Sequence, residues 1–260
     1  RTEIADTDET RAHPELVDHL PETEEWLRLS SRSRSWVAMS MRVTSNPWTA
    51  IGSSRRTIRC RRNQHTGDNL MGRYVISDHH FGHSRIIEYT GRPFSSVGEM
   101  NQSLLNRHYE TVDESDTLVH LGDVAMDMRD GTETIEYFDR LGGDLLVRGN
   151  HDTGLTAADA PFPVVRSCTI EHGDRTFYCT HRPADVPEEW DGWVLHGHEH
   201  NNSPEEFPFV AYDARRINVS CELLNYRPIA LETLSGILDA CPDGSRIRDV
   251  DTARAELGER

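Results

Sequence analysis

The fold class that this sequence predicts is α/β. From Met71, apolar runs of strand length alternate with helical patterns in a βαβαβ order, which calls for a partly parallel sheet with helices on its faces. Beyond Asp152 the runs become strand-rich, and each polar fragment rich in His, Asp or Asn falls at or just past the carboxyl end of a run. In open α/β sheets that is the edge where ligands bind.

The elements follow in order. Tyr74-Val75-Ile76-Ser77 is a short apolar run ending at Asp78 and reads as a buried strand. Ser96-Val97-Gly98-Glu99 fits a capping box and opens a helix with Met100, Leu104, Leu105 and Tyr109 as its apolar positions. Thr117–Leu121 is the next strand and ends at Gly122-Asp123. Thr132 to Leu141 is a helix, and Asp144–Val147 is a strand ending at Gly149-Asn150. Further strands are expected at Val164–Ile170, Thr176–Thr180, Trp193–Leu195, Phe209–Tyr212 and Ile217–Cys221, with a closing helix over Ala230–Ala240.

Composition narrows the function classes. The 260 residues carry 44 acidic side chains against 28 basic ones, and every base is arginine. Residues 71–260 hold 34 acids and 17 arginines, so the folded part is strongly acidic. Such a surface without lysine suits very high salt, where screening removes self-repulsion; a genome favouring arginine codons is the alternative. The charge argues against passive docking on nucleic acid or an anionic membrane, so nucleic acid is not the favoured partner. No apolar run approaches the roughly 20 residues needed to cross a bilayer. Five irregularly spaced cysteines suggest no disulfide framework, and a reducing cytoplasm is the expected location. Ser54-Arg55-Arg56 is followed by arginines rather than an apolar segment, so export is not expected.

Residues 1–70 mix an acidic start, a Ser/Arg stretch, scattered tryptophans and an arginine cluster, with little periodicity beyond a short helical pattern at Pro21–Leu29. They are expected to be a disordered or misannotated extension, with a nucleic-acid-binding arm as the alternative. Residues 71–260 form the expected domain.

The polar fragments are Asp78-His79-His80, Gly122-Asp123, Gly149-Asn150-His151-Asp152, His181 and Gly197-His198-Glu199-His200. They offer about seven oxygen and imidazole ligands and no cysteine, a set suited to two cations rather than to a structural zinc closed at four ligands. Asp78 and His80, two apart on an extended segment, would project to the same side and share a cation, as would His198 and His200. Gly149 permits a tight turn, and Asn150 offers an amide oxygen.

In that order the fragments resemble the calcineurin-like metallophosphoesterases over about residues 73–221, and Asp78-His79-His80-Phe81-Gly82-His83 with Arg92-Pro93-Phe94 is similar to its small prokaryotic and phage members. The resemblance implies a four-layer α/β/β/α sandwich with mixed sheets. It implies Asp78, His80 and His200 on one metal, Asn150, His181 and His198 on the other, and Asp123 bridging both. His151 is implied to be the acid or phosphate-contacting imidazole, oriented by Asp152. The implied cofactor is a pair of divalent cations, Mn²⁺ before Fe, Zn²⁺ or Ni²⁺, holding a bridging hydroxide that attacks a phosphomono- or phosphodiester. The expected partner is a phosphorylated small molecule or nucleotide. His83, Arg148 and Arg182 are candidates for substrate contact, against ordinary second-sphere or ion-pair roles. His79 is weighed in the same way, and His120 and His196 are expected to be packed near the ligands.

Overall fold

The computed structural model describes residues 56–58, 71–158, 160–241 and 244–257. The elements in chain order are β1 (Arg56–Ile58), β2 (Arg73–Ile76), α1 (Ile86–Tyr89), α2 (Val97–Tyr109), β3 (Thr117–His120), α3 (Thr132–Arg140), β4 (Leu145–Val147), β5 (Val164–Val165), β6 (Ser167–His172), β7 (Arg175–Thr180), β8 (Trp193–His196), β9 (Val210–Ala211), β10 (Arg216–Asn218), β11 (Ile229–Ala230), α4 (Leu231–Ala240), β12 (Arg246–Ile247) and α5 (Val250–Leu257). The expectation for residues 1–70 lies outside the described residues, apart from β1, which pairs in parallel with β6.

Two mixed sheets carry the fold, as the α/β class requires. The first has five strands in the order β11-β2-β3-β4-β5; β2 to β5 are mutually parallel and β11 runs against β2. The second has seven strands in the order β1-β6-β7-β8-β10-β9-β12, with parallel β7-β8-β10 at its centre. Parallel strands buried on both faces need continuous apolar runs, and Val75, Ile76, Leu146 and Val147 have no exposure at all. Full burial of such a side chain contributes about 1.5–3 kcal/mol. Apolar side chains of both sheets, among them Leu118, Phe177, Leu195 and Ile217, join one contiguous core.

Most local signals reappear in the fold, with three differences. Ser96 caps α2 by accepting the Glu99 N–H at 3.2 Å. The return half of the box differs, because the Glu99 carboxylate takes the Ser95 N–H at 2.9 Å rather than that of Ser96. The single strand expected at Val164–Ile170 is two strands in different sheets, with Arg166 between them. Val164 and Val165 are both buried, whereas β6 alternates, which marks the change of environment. The strand expected at Ile217–Cys221 closes early at Asn218, and the chain then crosses to the first sheet. There Ser77 bridges Ser220, with Ser77 N–H donating to Val219 O at 3.0 Å and Cys221 N–H to Ser77 O at 3.1 Å. This seam holds the ends of β2 and β10 together, so the carboxyl ends of the two sheets meet.

Candidate metal centre

Five loops enter the seam. Asp78 and His80 follow β2, Asp123 follows β3, Asn150 and His151 follow β4, His181 follows β7, and His198 and His200 follow β8. The loops brace one another through the backbone. Asp78 N–H donates to Gly122 O and His80 N–H to Asp123 O, both at 3.0 Å, and Gly197 N–H donates to His181 O at 3.0 Å. Two glycines permit the crowding: a β-carbon on Gly149 would overlap Asp123 Oδ1, and one on Gly197 would overlap Ser77 Oγ and Asp78 Oδ2.

The expectation that Asp78/His80 and His198/His200 meet through extended backbone is corrected. All four, and Asp123, are left-handed, with φ of 62°, 52°, 72°, 50° and 56° for Asp78, His80, His198, His200 and Asp123. The pairs still converge, but by tight turns. A left-handed L-residue costs on the order of 1–2 kcal/mol, and such outliers gather where surrounding structure enforces them for function.

The side chains form three overlapping groups whose ligand atoms lie within 4.8 Å of one another: Asp78/His80/His200, His80/Asp123/His151 and Asp123/His181/His198. His80 Nε2 is 3.9 Å from Asp78 Oδ1 and 3.5 Å from Asp123 Oδ2. His200 Nε2 is 3.8 Å from Asp78 Oδ1. His181 Nε2 is 3.3 Å from the same Asp123 Oδ2 and 2.9 Å from Asn150 Oδ1. One oxygen of Asp123 therefore faces both ends of the centre, while its other oxygen accepts the His151 N–H at 2.8 Å.

This donor set fits divalent cations. Neither ring nitrogen of the buried His80 has a hydrogen-bond partner among the described residues. A buried polar atom left in that state is costly unless something else satisfies it. Asp78 is oriented by the His198 N–H, 3.0 Å from its Oδ2 and 3.2 Å from its Oδ1, and by the Ser220 hydroxyl, 2.9 Å from Oδ2, and its Oδ1 faces the imidazoles of His80 and His200. Imidazole, amide and carboxylate donors of this kind suit transition metals.

Electrostatics agree with that fit. Burial holds His80 well below the ordinary imidazole value; Asp123 opposes the shift, and His200 and His151 reinforce it. His198 is lowered to about 4 by burial and then by His181. Burial also works against charge on His181, but Asp123 overrides it and raises that imidazole to about 9. His200 is likewise opposed by burial and raised to about 9 by Asp78 and Glu222. Asp123 at one end, and Asp78 with Glu222 at the other, thus demand positive charge, which protons or divalent cations can supply.

Asp152 departs from expectation. Instead of orienting His151, its carboxylate accepts three backbone N–H groups: Asp123 at 2.7 Å, Gly149 at 2.8 Å and Val124 at 3.1 Å. It fixes the turns that present Asp123 and Asn150, and His151 Nδ1 has no hydrogen-bond partner among the described residues. Burial and the Asp123 charge push the Asp152 carboxyl up to about 7, against its backbone hydrogen bonds.

The weaker candidates divide. The His83 ring lies 5.5 Å from that of His80 and 6.0 Å from that of His151, so it borders the centre. Arg182 is exposed, and its charge helps to lower His198. Arg148 is half-buried beside Gly149, its backbone N–H on Val165 O at 2.8 Å. His79 is fully buried, stacked 5.1 Å from Phe81 and joined to His120 at 2.7 Å, so it lies behind the ligand loop. His196 Nδ1 donates to Gly197 O at 2.9 Å.

Sequence reasoning gave no role to Arg92, Asn218, Ser220 or Glu222. Asn218 donates to His200 O at 2.9 Å and accepts the Ser220 backbone N–H at 3.1 Å, and Glu222 contacts the His200 ring. The available signal was position, since Ser220 and Glu222 follow a strand as the ligands do.

Fold and site together define an α/β protein with two mixed sheets and a buried His/Asp centre able to bind metal at their seam. The chain belongs to the same family as the uncharacterized protein MJ1445 of Methanocaldococcus jannaschii, to which it is 35% identical over 168 residues, covering 64% of this chain and 90% of that protein. No family model matches the sequence. Among solved structures, it is similar to the protein of unknown function AQ665 from Aquifex aeolicus (24% identity, 65% of this chain and 100% of that one, TM-score 0.49). It is more distantly similar to YfcE, a phosphoesterase from E. coli (19% identity, 58% and 78%, TM-score 0.33).

Proposed function

We propose that the chain is a metal-dependent phosphoesterase of the calcineurin-like type, hydrolysing phosphomono- or phosphodiesters with two divalent cations. The observation that carries this reading is the placement of Asp123 Oδ2, 3.5 Å from His80 Nε2 and 3.3 Å from His181 Nε2. A single carboxylate oxygen shared by two imidazole-rich groups is what a pair of cations needs and what a structural zinc does not.

Asp78, His80 and His200 would hold one cation, Asn150, His181 and His198 the other, and Asp123 both. When bound, such cations act as Lewis acids on phosphoryl oxygens and lower the pKa of water. The protein's own groups do the rest. His151, whose ring is edge-on to His80 at 4.9 Å, would contact the phosphoryl group and protonate the leaving oxygen. Asp152 keeps the Asp123 and Gly149 turns in register. His83, whose ring lies 6.0 Å from that of His151, and the exposed Arg182 would contact the phosphate.

The stretches between Asp123 and Gly149 and between Asp152 and His181 are short, which supports an open site without a large cap. A nuclease or nucleotide-specific phosphodiesterase would use the same centre and differ in the leaving group. The test is metal analysis of the purified protein combined with Mn²⁺-supplemented hydrolysis of mono-aryl and bis-aryl phosphates and an oligonucleotide. Two bound cations with turnover of an aryl ester are expected. A protein that binds metal without turning over any of the three would be a scaffold, and one that binds none would sink the reading altogether.

A further inference from the structure

Behind one half of the centre lies an ion pair that the proposed reaction does not use. Arg92 is 4% exposed, and its guanidinium donates to Glu222 Oε1 from Nη2 at 2.7 Å and from Nε at 3.0 Å. The same guanidinium donates to Asp78 O at 2.8 Å and to His79 O at 2.7 Å. Glu222, with a 2% exposed side chain, stands 3.1 and 3.2 Å from His200 Nδ1. A buried pair of this kind is costly to desolvate and weak as a source of stability alone, so its placement calls for another explanation.

We propose that Glu222, clamped by Arg92, is the positioning residue that makes His200 a ligand; this rests on the metal reading above. A carboxylate can only accept, so Glu222 accepts the hydrogen bond of the His200 Nδ1–H, which keeps its proton, and Nε2, 3.8 Å from Asp78 Oδ1, is left as the ligand atom. Arg92 neutralises the buried carboxylate and, through the two carbonyls, fixes the left-handed turn that carries Asp78 and His80. One guanidinium thereby ties all three members of the Asp78/His80/His200 group together across 130 residues of chain. The other half is built differently: His181 Nδ1 donates to the uncharged carbonyl of Leu121 at 2.8 Å. The pair therefore acts on one cation and not on both.

The experiment is a calorimetric Mn²⁺ titration of the full chain, paired with the visible spectrum of the Co²⁺-loaded protein. In Glu222→Gln the amide N–H can face His200 Nδ1 and favour the tautomer whose Nε2 is protonated. One metal equivalent should weaken by about 10- to 100-fold, the other should stay as in the wild type, and the Co²⁺ bands should change. Glu222→Asp, which keeps the charge, should recover most of the affinity. In a His200→Ala background Glu222→Gln should have no further effect on the remaining equivalent. Wild-type titration by Glu222→Gln, equal weakening of both equivalents, or an unfolded Glu222→Gln protein that Mn²⁺ does not restore would each overturn the assignment. Absence of metal from the wild type would instead overturn the reading on which it rests.

Discussion

The Asp152 carboxylate holds Asp123 by its backbone, accepting the Asp123 N–H at 2.7 Å across 29 residues of chain. It serves Gly149 and Val124 in the same way. In Asp152→Asn one acceptor becomes a donor that faces a backbone donor, and each buried group left unsatisfied costs about 1–3 kcal/mol. Thermal unfolding in chelator should show that loss, and metal content should fall with it, because the bridging carboxylate is no longer fixed. Unchanged metal content would contradict the role given to Asp152.

His151→Ala should separate chemistry from binding. Removing a general acid typically costs about 10²- to 10⁴-fold in rate, and the three-ligand groups around Asp78 and His181 do not depend on this side chain. The expected result is a kcat reduced by that order with both cations retained. Loss of both cations would assign His151 to the metals instead.

Three glycine substitutions should behave in opposite ways. Gly149→Ala and Gly197→Ala place a β-carbon on the oxygens of Asp123 and of Ser77 and Asp78, so each should abolish metal binding or folding. Gly236 lies inside α4 with open space within 4 Å of an added β-carbon, so Gly236→Ala should stabilise by about 0.5–1 kcal/mol. Denaturant melts of the three variants provide the check.

His108 sets a pH dependence away from the ligands. Burial lowers it to about 4, against the backbone of Leu141, and it is 2% exposed on α2. Its folded value lies below its unfolded one, so the unfolded chain binds the extra proton. Its contribution is therefore fully present above about pH 6.5 and is lost as pH falls toward 4, by up to about 3 kcal/mol. His108→Met should flatten that acid limb in melts taken from pH 7 to pH 4; an unchanged slope would reject the assignment.

The acidic surface gives a salt prediction. With 34 acids and 17 arginines in residues 71–260, raising NaCl from 0.1 M to molar levels shortens the screening length from about 10 Å to about 3 Å. The melting temperature should rise over that range, and a flat or falling curve would favour codon bias over salt adaptation.

The ligands were legible because each polar fragment follows its own strand, so a linear reading of the fragments is also a reading of the loops at the carboxyl ends of the two sheets. The α2 cap and the β2-α2-β3-α3-β4 order were legible for the same local reasons. What stayed hidden acts over long separations. The Arg92–Glu222 pair spans 130 residues and the Asp152–Asp123 bond spans 29, and no periodicity encodes either contact. The change of sheet at Arg166 was masked because strand-forming residues lie on both sides of it, Val164 and Val165 before and Cys168, Thr169 and Ile170 after. The left-handed turns read as extended backbone because Asp and His carry no turn signal comparable to glycine.

Those left-handed turns bear on portability. Five donors held in a backbone state that their own residue types disfavour will relax once the strands that pin them are removed. A peptide copied from Asp78–His80 or Gly197–His200 would bind cations only as any loose His/Asp peptide does. The centre thus belongs to the meeting of two sheets rather than to its motifs, so it cannot be transplanted by grafting short segments.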